Sequence, residues 1–130
     1  MSRGPRPLVT IRDAIPIALQ RGAIQLAERG TELLYDFMIS GTKPKPVAFV
    51  SVKYTERIRA TLEDISRDCD DRIRQLRSIA RDATVSCELW LHSRYGTWRF
   101  FRVTADALVE LGNDGGPLAA AGGAGREYAV

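Results

Sequence analysis

The spacing of apolar positions changes several times along the chain, and each change marks an element. From Asp13 onward Ile17, Leu19, Ala23, Ile24 and Ala27 recur at helical spacing and Gly30 supplies a stop, so the pattern predicts a first helix starting near Ile15. Pro16 suits the first turn of such a helix, where its missing N–H is not needed. Gly22 weakens its middle by about 1 kcal/mol relative to Ala. Thr31 to Ile39 (TELLYDFMI) reads as a strand, and the Pro- and Gly-containing run Ser40 to Pro46 breaks regular structure. Val47 to Tyr54 (VAFVSVKY) is nearly continuous in β-branched and aromatic residues, as expected of a central strand covered on both faces. Between Thr55 and Ala80 charged residues dominate. Ile58, Leu62, Ile65, Cys69, Ile73, Leu76 and Ile79 nevertheless keep steps of three and four, which predicts one long amphipathic helix, lying across a sheet or pairing as a coiled coil. Ser86 to His92 and Thr97 to Thr104 read as strands around a turn at Ser93 to Gly96, and Leu108 to Leu111 as a short edge strand.

The resulting order is α-β-β-α-β-β, an α/β sandwich with a central mixed sheet flanked by helices. Residues 1–12 are expected to form a flexible arm, 13–111 a single α/β domain, and the Gly- and Ala-rich segment 112–130 a disordered tail.

Composition narrows the class only a little. The 130 residues, 45% hydrophobic and 27% charged, suit one soluble domain with a sizeable core. Lys plus Arg exceed Asp plus Glu by 19 to 16, and a net charge of +3 neither announces a nucleic-acid partner nor excludes one. No apolar run approaches the roughly 20 residues of a membrane helix, and the opening residues lack a signal-peptide core, so a cytoplasmic location is expected. Cys69 and Cys87 fit no common zinc spacing and read as two reduced, half-buried thiols.

Strand alternation places Val47, Phe49, Ser51 and Lys53 on one face of the central strand. An ammonium ending an otherwise apolar strand requires solvent or an acid, and Asp36 on the preceding strand offers the acid across an antiparallel ladder. A partly exposed salt bridge contributing less than about 1 kcal/mol accounts for the same pair. Glu56, Glu63, Asp64 and Asp68 interleave with Arg57, Arg59, Arg67 and Arg72 in the manner of a solvated helix face. His92 reads as a surface or hydrogen-bonded residue. In the second hairpin Trp90, Tyr95, Trp98, Phe100 and Phe101 accompany Arg94, Arg99 and Arg102, a combination that serves either as core or as a stacking and phosphate-binding surface. Arg94, Tyr95 and Arg99 are the candidate nucleic-acid contacts, the first two because they occupy the turn.

The stretch RGTELLYDFMISGTKPKPVAFVSVKY resembles the core of the restriction-endonuclease-like superfamily, the PD-(D/E)xK nucleases that include archaeal Holliday-junction resolvases. That family's pattern is a helix, an Asp-bearing strand, a loop, an apolar strand ending in Glu-x-Lys, and a helix. Asp36 matches the motif Asp and Lys53 the motif Lys. The resemblance implies a restriction-endonuclease-like fold in which Asp36 holds Mg²⁺ and Lys53 orients the attacking water and stabilises the charged transition state. Ser51 stands where the motif has Glu. One subgroup with Ser-x-Lys draws its acid from the following helix, at a somewhat longer spacing than the ten residues from Lys53 to Glu63, and Glu63 is the candidate here for such a transfer. Asp36, Ser51 and Lys53 are thus the candidate catalytic positions for hydrolysis of DNA phosphodiesters, and Asp36 and Glu63 the candidate metal ligands. A catalytically inactive nucleic-acid-binding or protein-interaction module with the same fold is the alternative. A homodimer joined through the long helix is a third.

Overall fold

The computed structural model describes residues 8–27, 34–42, 45–79, 84–118 and 127–129. Helix α1 (Leu8–Leu19) is followed by strands β1 (Ala23–Leu26), β2 (Phe37–Ser40) and β3 (Val47–Thr55). Helices α2 (Leu62–Asp68) and α3 (Asp70–Arg77) lead to β4 (Val85–Ser93), β5 (Trp98–Val103), β6 (Ala107–Leu111) and β7 (Glu127–Ala129). The strands lie side by side in chain order in one mixed seven-stranded sheet. Every neighbouring pair is antiparallel except β3 and β4, which run parallel, and the crossover between them carries α2 and α3 as a parallel connection requires. The architecture is an α/β sandwich, as expected.

Each face of the sheet has its own apolar layer. Ile11, Ala14 and Ala18 of α1 pack with Phe37, Ile39, Ala48, Val50, Val52, Trp90 and Phe100. On the other face Ile65, Cys69, Ile73 and Leu76 of the two later helices pack with Cys87, Leu89, Leu91, Phe101, Val103 and Leu108. The apolar stripe of the second helical region therefore packs on its own sheet, the first of the two arrangements that its spacing allowed. Among the described residues no helix is long and apolar enough to cross a membrane.

Several boundaries differ from those expected, for identifiable reasons. Helix α1 begins at Leu8, so Leu8 to Arg12 are helical and not part of a loose arm. Pro16 lies inside this helix and not in its first turn. Pro16 and Arg12 are both exposed, a setting in which the carbonyl that a helix-interior proline leaves without its donor is open to solvent. The helix stops at Leu19 because the backbone of Arg21 and Gly22 folds back on the Ala18 carbonyl. A Cβ on Gly22 would collide with the carbonyl of Ser40, so this glycine is required by a close approach of chains. The stretch Ala23–Leu26, expected as the second half of a helix, is consequently strand β1.

Asp36 precedes β2 by one residue, and the expected strand from Thr31 contracts to Phe37–Ser40, with 31–33 outside the described residues. The expected long helix is two helices with a loop before them. Thr61 caps α2 by accepting a hydrogen bond from the Asp64 N–H at 3.1 Å, and Cys69 (φ −109°, ψ 20°) interrupts the helical path before α3. Gly96 (φ +83°) closes the β4–β5 turn at the predicted place. In the tail, Glu127–Ala129 pairs with β6, so these residues are not disordered and β6 is not an edge; 119–126 lie outside the described residues.

Candidate functional site

Antiparallel register pairs Phe37 with Val50, which brings Asp36 beside Ser51 and Val52. Asp36 is fully buried. Its own N–H donates to the Val50 carbonyl at 2.7 Å, and its Oδ2 accepts the Val52 N–H at 2.7 Å. From α3, Arg72 reaches down to the same point. Its Nη1 lies 3.8 Å from Asp36 Oδ2 and donates to the Ser51 hydroxyl at 3.1 Å and to the Val52 carbonyl at 2.8 Å. One guanidinium nitrogen thus sits among three oxygens, one of them charged, in a site with Asp36 and Ser51 wholly buried. Arg72, read in the sequence as part of a solvated face, is the residue that balances Asp36.

Lys53 shares the Ser51 face, as alternation requires, but directs its ammonium elsewhere. Its Nζ donates to the Asp68 carbonyl at 3.1 Å, at the C-terminal end of α2 where a positive charge is favoured. In place of the expected Asp36–Lys53 pair, Asp36 faces Arg72 and Lys53 reaches a backbone carbonyl, the Asp68 carboxylate itself pairing with Arg59. Glu63 is on the exposed face of α2, 3.6 Å from Arg67, and the structure does not bring it to Asp36. Cys69 lies beside Lys53 in a small recess that also includes Ile58, Ile65 and Leu91. Burial pushes its thiol above the ordinary value, while Lys53 and then Arg72 pull it down.

These residues do not fit a Mg²⁺ ion in the present arrangement. A hard cation takes oxygen ligands, usually with more than one carboxylate. Here Asp36 brings one carboxylate already engaged by a backbone donor and a guanidinium, and the neighbouring Ser51 oxygen accepts from the same Arg72 nitrogen. Among the described residues no three His, Cys, Asp or Glu side chains converge as a metal site.

The second hairpin separates its three candidates. Tyr95 is 76% exposed at the turn, with the Arg94 guanidinium 5.9 Å from its ring centre. Arg94 is tied to the end of β3 by its N–H to the Thr55 carbonyl and by Nη1 to Glu56 at 3.2 Å. Arg99 does not join them. It forms a two-pronged pair with Glu110 at 2.8 Å for each prong and donates to the Arg59 carbonyl at 2.7 Å, which makes it a strut between β5, β6 and the loop before α2. Arg57 and Tyr54 are exposed near the same end of β3.

A further polar cluster was missed in the sequence. On the α1 side, Glu88 of β4 is fully buried and accepts both terminal nitrogens of Arg21 at 2.7 and 2.9 Å, the Ser86 hydroxyl at 2.8 Å and the Trp90 indole N–H at 3.0 Å. Arg102 extends it, donating to Ser86 Oγ at 2.9 Å and to the Gly115 carbonyl at 3.1 Å. Burial lowers the Arg102 pKa from its ordinary value, with Glu88 opposing that effect. The available signal was Glu88 itself, a carboxylate inside the apolar run VSCELWLHS that demands a buried partner. Comparison with protein-family models, with characterised proteins and with solved structures finds no match for this chain.

Proposed function

We propose that the chain is a diverged relative of the PD-(D/E)xK nucleases that binds nucleic acid without hydrolysing it. The order of helix, Asp-bearing segment, loop, apolar strand with Lys53, helical crossover and strand supports the relationship, with β1 as an addition after the first helix. The observation that carries the non-hydrolytic reading is Arg72 Nη1 among Asp36 Oδ2, Ser51 Oγ and the Val52 carbonyl. Metal-assisted phosphodiester hydrolysis requires an ion with open positions for water and substrate. A guanidinium fixed by its own helix supplies positive charge but no such positions. Lys53, the group that would attend the phosphate, is engaged by a helix end. Binding falls to the exposed rim of Tyr54, Arg57, Arg94 and Tyr95, where aromatic faces suit bases and guanidinium groups suit phosphates.

The test uses labelled linear and branched DNA with Mg²⁺, with Mn²⁺ and with chelator, scoring binding by anisotropy and strand integrity on denaturing gels. The expected result is salt-dependent binding of similar strength in all three conditions with intact DNA, weakened about tenfold by Arg94→Ala with Tyr95→Ala. Metal-dependent cleavage that disappears in Asp36→Ala and Lys53→Ala overturns the proposal in favour of hydrolysis. Absence of any nucleic-acid binding overturns it in favour of a protein-interaction module.

A further inference from the structure

We propose that β1 joins two copies of this chain by pairing antiparallel with the β1 of a second copy, extending the sheet across a twofold axis at Gln25. This inference is independent of whether the molecule cuts or binds nucleic acid. Strand β1 is the end of the sheet, paired on one side with β2, and no described strand lies on its other side. Ala23, Gln25 and Leu26 are exposed, Leu26 to 53%. Monomeric proteins protect such edges with charges, prolines or bulges, and the run Gly22 to Ala27 contains no charge and no proline. Two chains of net charge +3 therefore meet there without like charges in the strand itself.

The backbone register fixes how the copies fit. The Ala27 N–H donates to the Asp36 carbonyl at 3.0 Å, continuing the pairing of Ala23 with Ser40 through Leu26 with Phe37. In an antiparallel ladder, hydrogen-bonded residues alternate, so Ala23, Gln25 and Ala27 spend their backbone groups on β2. Ile24 and Leu26 turn theirs outward. A twofold axis at Gln25 sets Ile24 opposite Leu26 of the second copy, and the reverse, and uses all four outward groups of each chain. On the α1 face this places the exposed Leu26 against an Ile24 already packed on the core, giving two equivalent apolar cross-strand pairs. On the opposite face the two Gln25 side chains meet at the axis and their amides can bond to one another. The strand is thus complementary to itself in hydrogen bonds, apolar contacts and charge, which is what an isologous dimer requires. Four residues per copy make a small interface, so the dimer is weak and concentration-dependent.

The test is sedimentation equilibrium of the full chain from about 10 µM to about 1 mM, with circular dichroism confirming that each variant is folded. The expected result is a monomer–dimer equilibrium. Leu26→Lys sets like charges across the axis, and Leu26→Pro removes an outward N–H that β2 does not use. Each raises the dissociation constant at least about tenfold. Gln25→Cys puts two thiols at a non-hydrogen-bonded pair with Cα atoms about 4.5 Å apart, within disulfide reach, and gives a covalent dimer on mild oxidation. Ala23→Cys, whose copies are far apart in this register, stays uncross-linked. The native Cys69 and Cys87 are buried and do not interfere. A monomer at every concentration, a dimer indifferent to both Leu26 variants, or equal cross-linking from position 23 overturns the proposal.

Discussion

Replacing Arg21 by Met removes the cation from a carboxylate that has no access to solvent. Glu88 is fully buried and the Arg21 side chain 5% exposed, with the two ends joined at 2.7 and 2.9 Å. Breaking a buried pair by deleting one partner typically costs about 3–5 kcal/mol, because the remaining charge is left in a medium that cannot solvate it. Two features place this case at the low end. Ser86 and Trp90 continue to donate to Glu88. Arg21 Nε is buried without a hydrogen-bond partner, so removing the guanidinium also relieves one unmet donor. The expected loss is about 3 kcal/mol, or roughly 10–15 °C in Tm for a domain of this size. Thermal unfolding and urea titration of Arg21→Met measure it. The double variant Arg21→Met with Glu88→Leu replaces both charges by apolar groups and is expected to recover at least about half of that loss. A single variant that loses less than about 1 kcal/mol, or a double variant no more stable than the single, refutes the account of Arg21 as the counter-charge of Glu88.

Further expectations separate structural from exposed groups. Asp36→Ala leaves the buried Val52 N–H without its acceptor and takes the facing carboxylate from Arg72, and is expected to destabilise by about 2–3 kcal/mol, whereas Lys53→Ala loses one exposed contact and costs less than about 1 kcal/mol; urea midpoints distinguish the two. Cys69 is protonated more readily in the folded chain than in the unfolded one, so its contribution is complete below the unfolded thiol's ordinary value of 9.0 and is lost as pH rises through the folded value. Denaturation midpoints above pH about 9 are therefore expected to fall more steeply in the wild type than in Cys69→Ala, and equal slopes would contradict this.

Strand β3 was legible because a central strand buried on both faces must be apolar without interruption, and VAFVSVKYT has that character. The stripe Ile65, Cys69, Ile73 and Leu76 was legible for the same kind of reason, a helix covering one sheet face, although the interruption at Cys69 leaves that spacing unchanged and so could not be seen in it. Strand β1 was misread because Ala23, Ile24 and Ala27 continue the helical period of α1. The choice between helix and strand there was made by a long-range contact, the close approach of Gly22 to Ser40, which local spacing does not encode. Similarly, Asp36 and Lys53 were legible as residues but not in partnership, since α3 sets Arg72 beside Asp36 while Lys53 reaches the end of α2.

The sequence by itself determined the alternation of layers, the face on which Ser51 and Lys53 lie, and the turn that carries Arg94 and Tyr95, because each follows from periodicity within a few residues. Tertiary structure alone decided which charges neutralise which. Arg21 and Glu88 are 67 residues apart, and Asp36 and Arg72 come from opposite sides of β3 in the chain. Charge pairing depends on distance in space and on exclusion of water, and neither exists until α1 and α3 have closed on the two faces of the sheet.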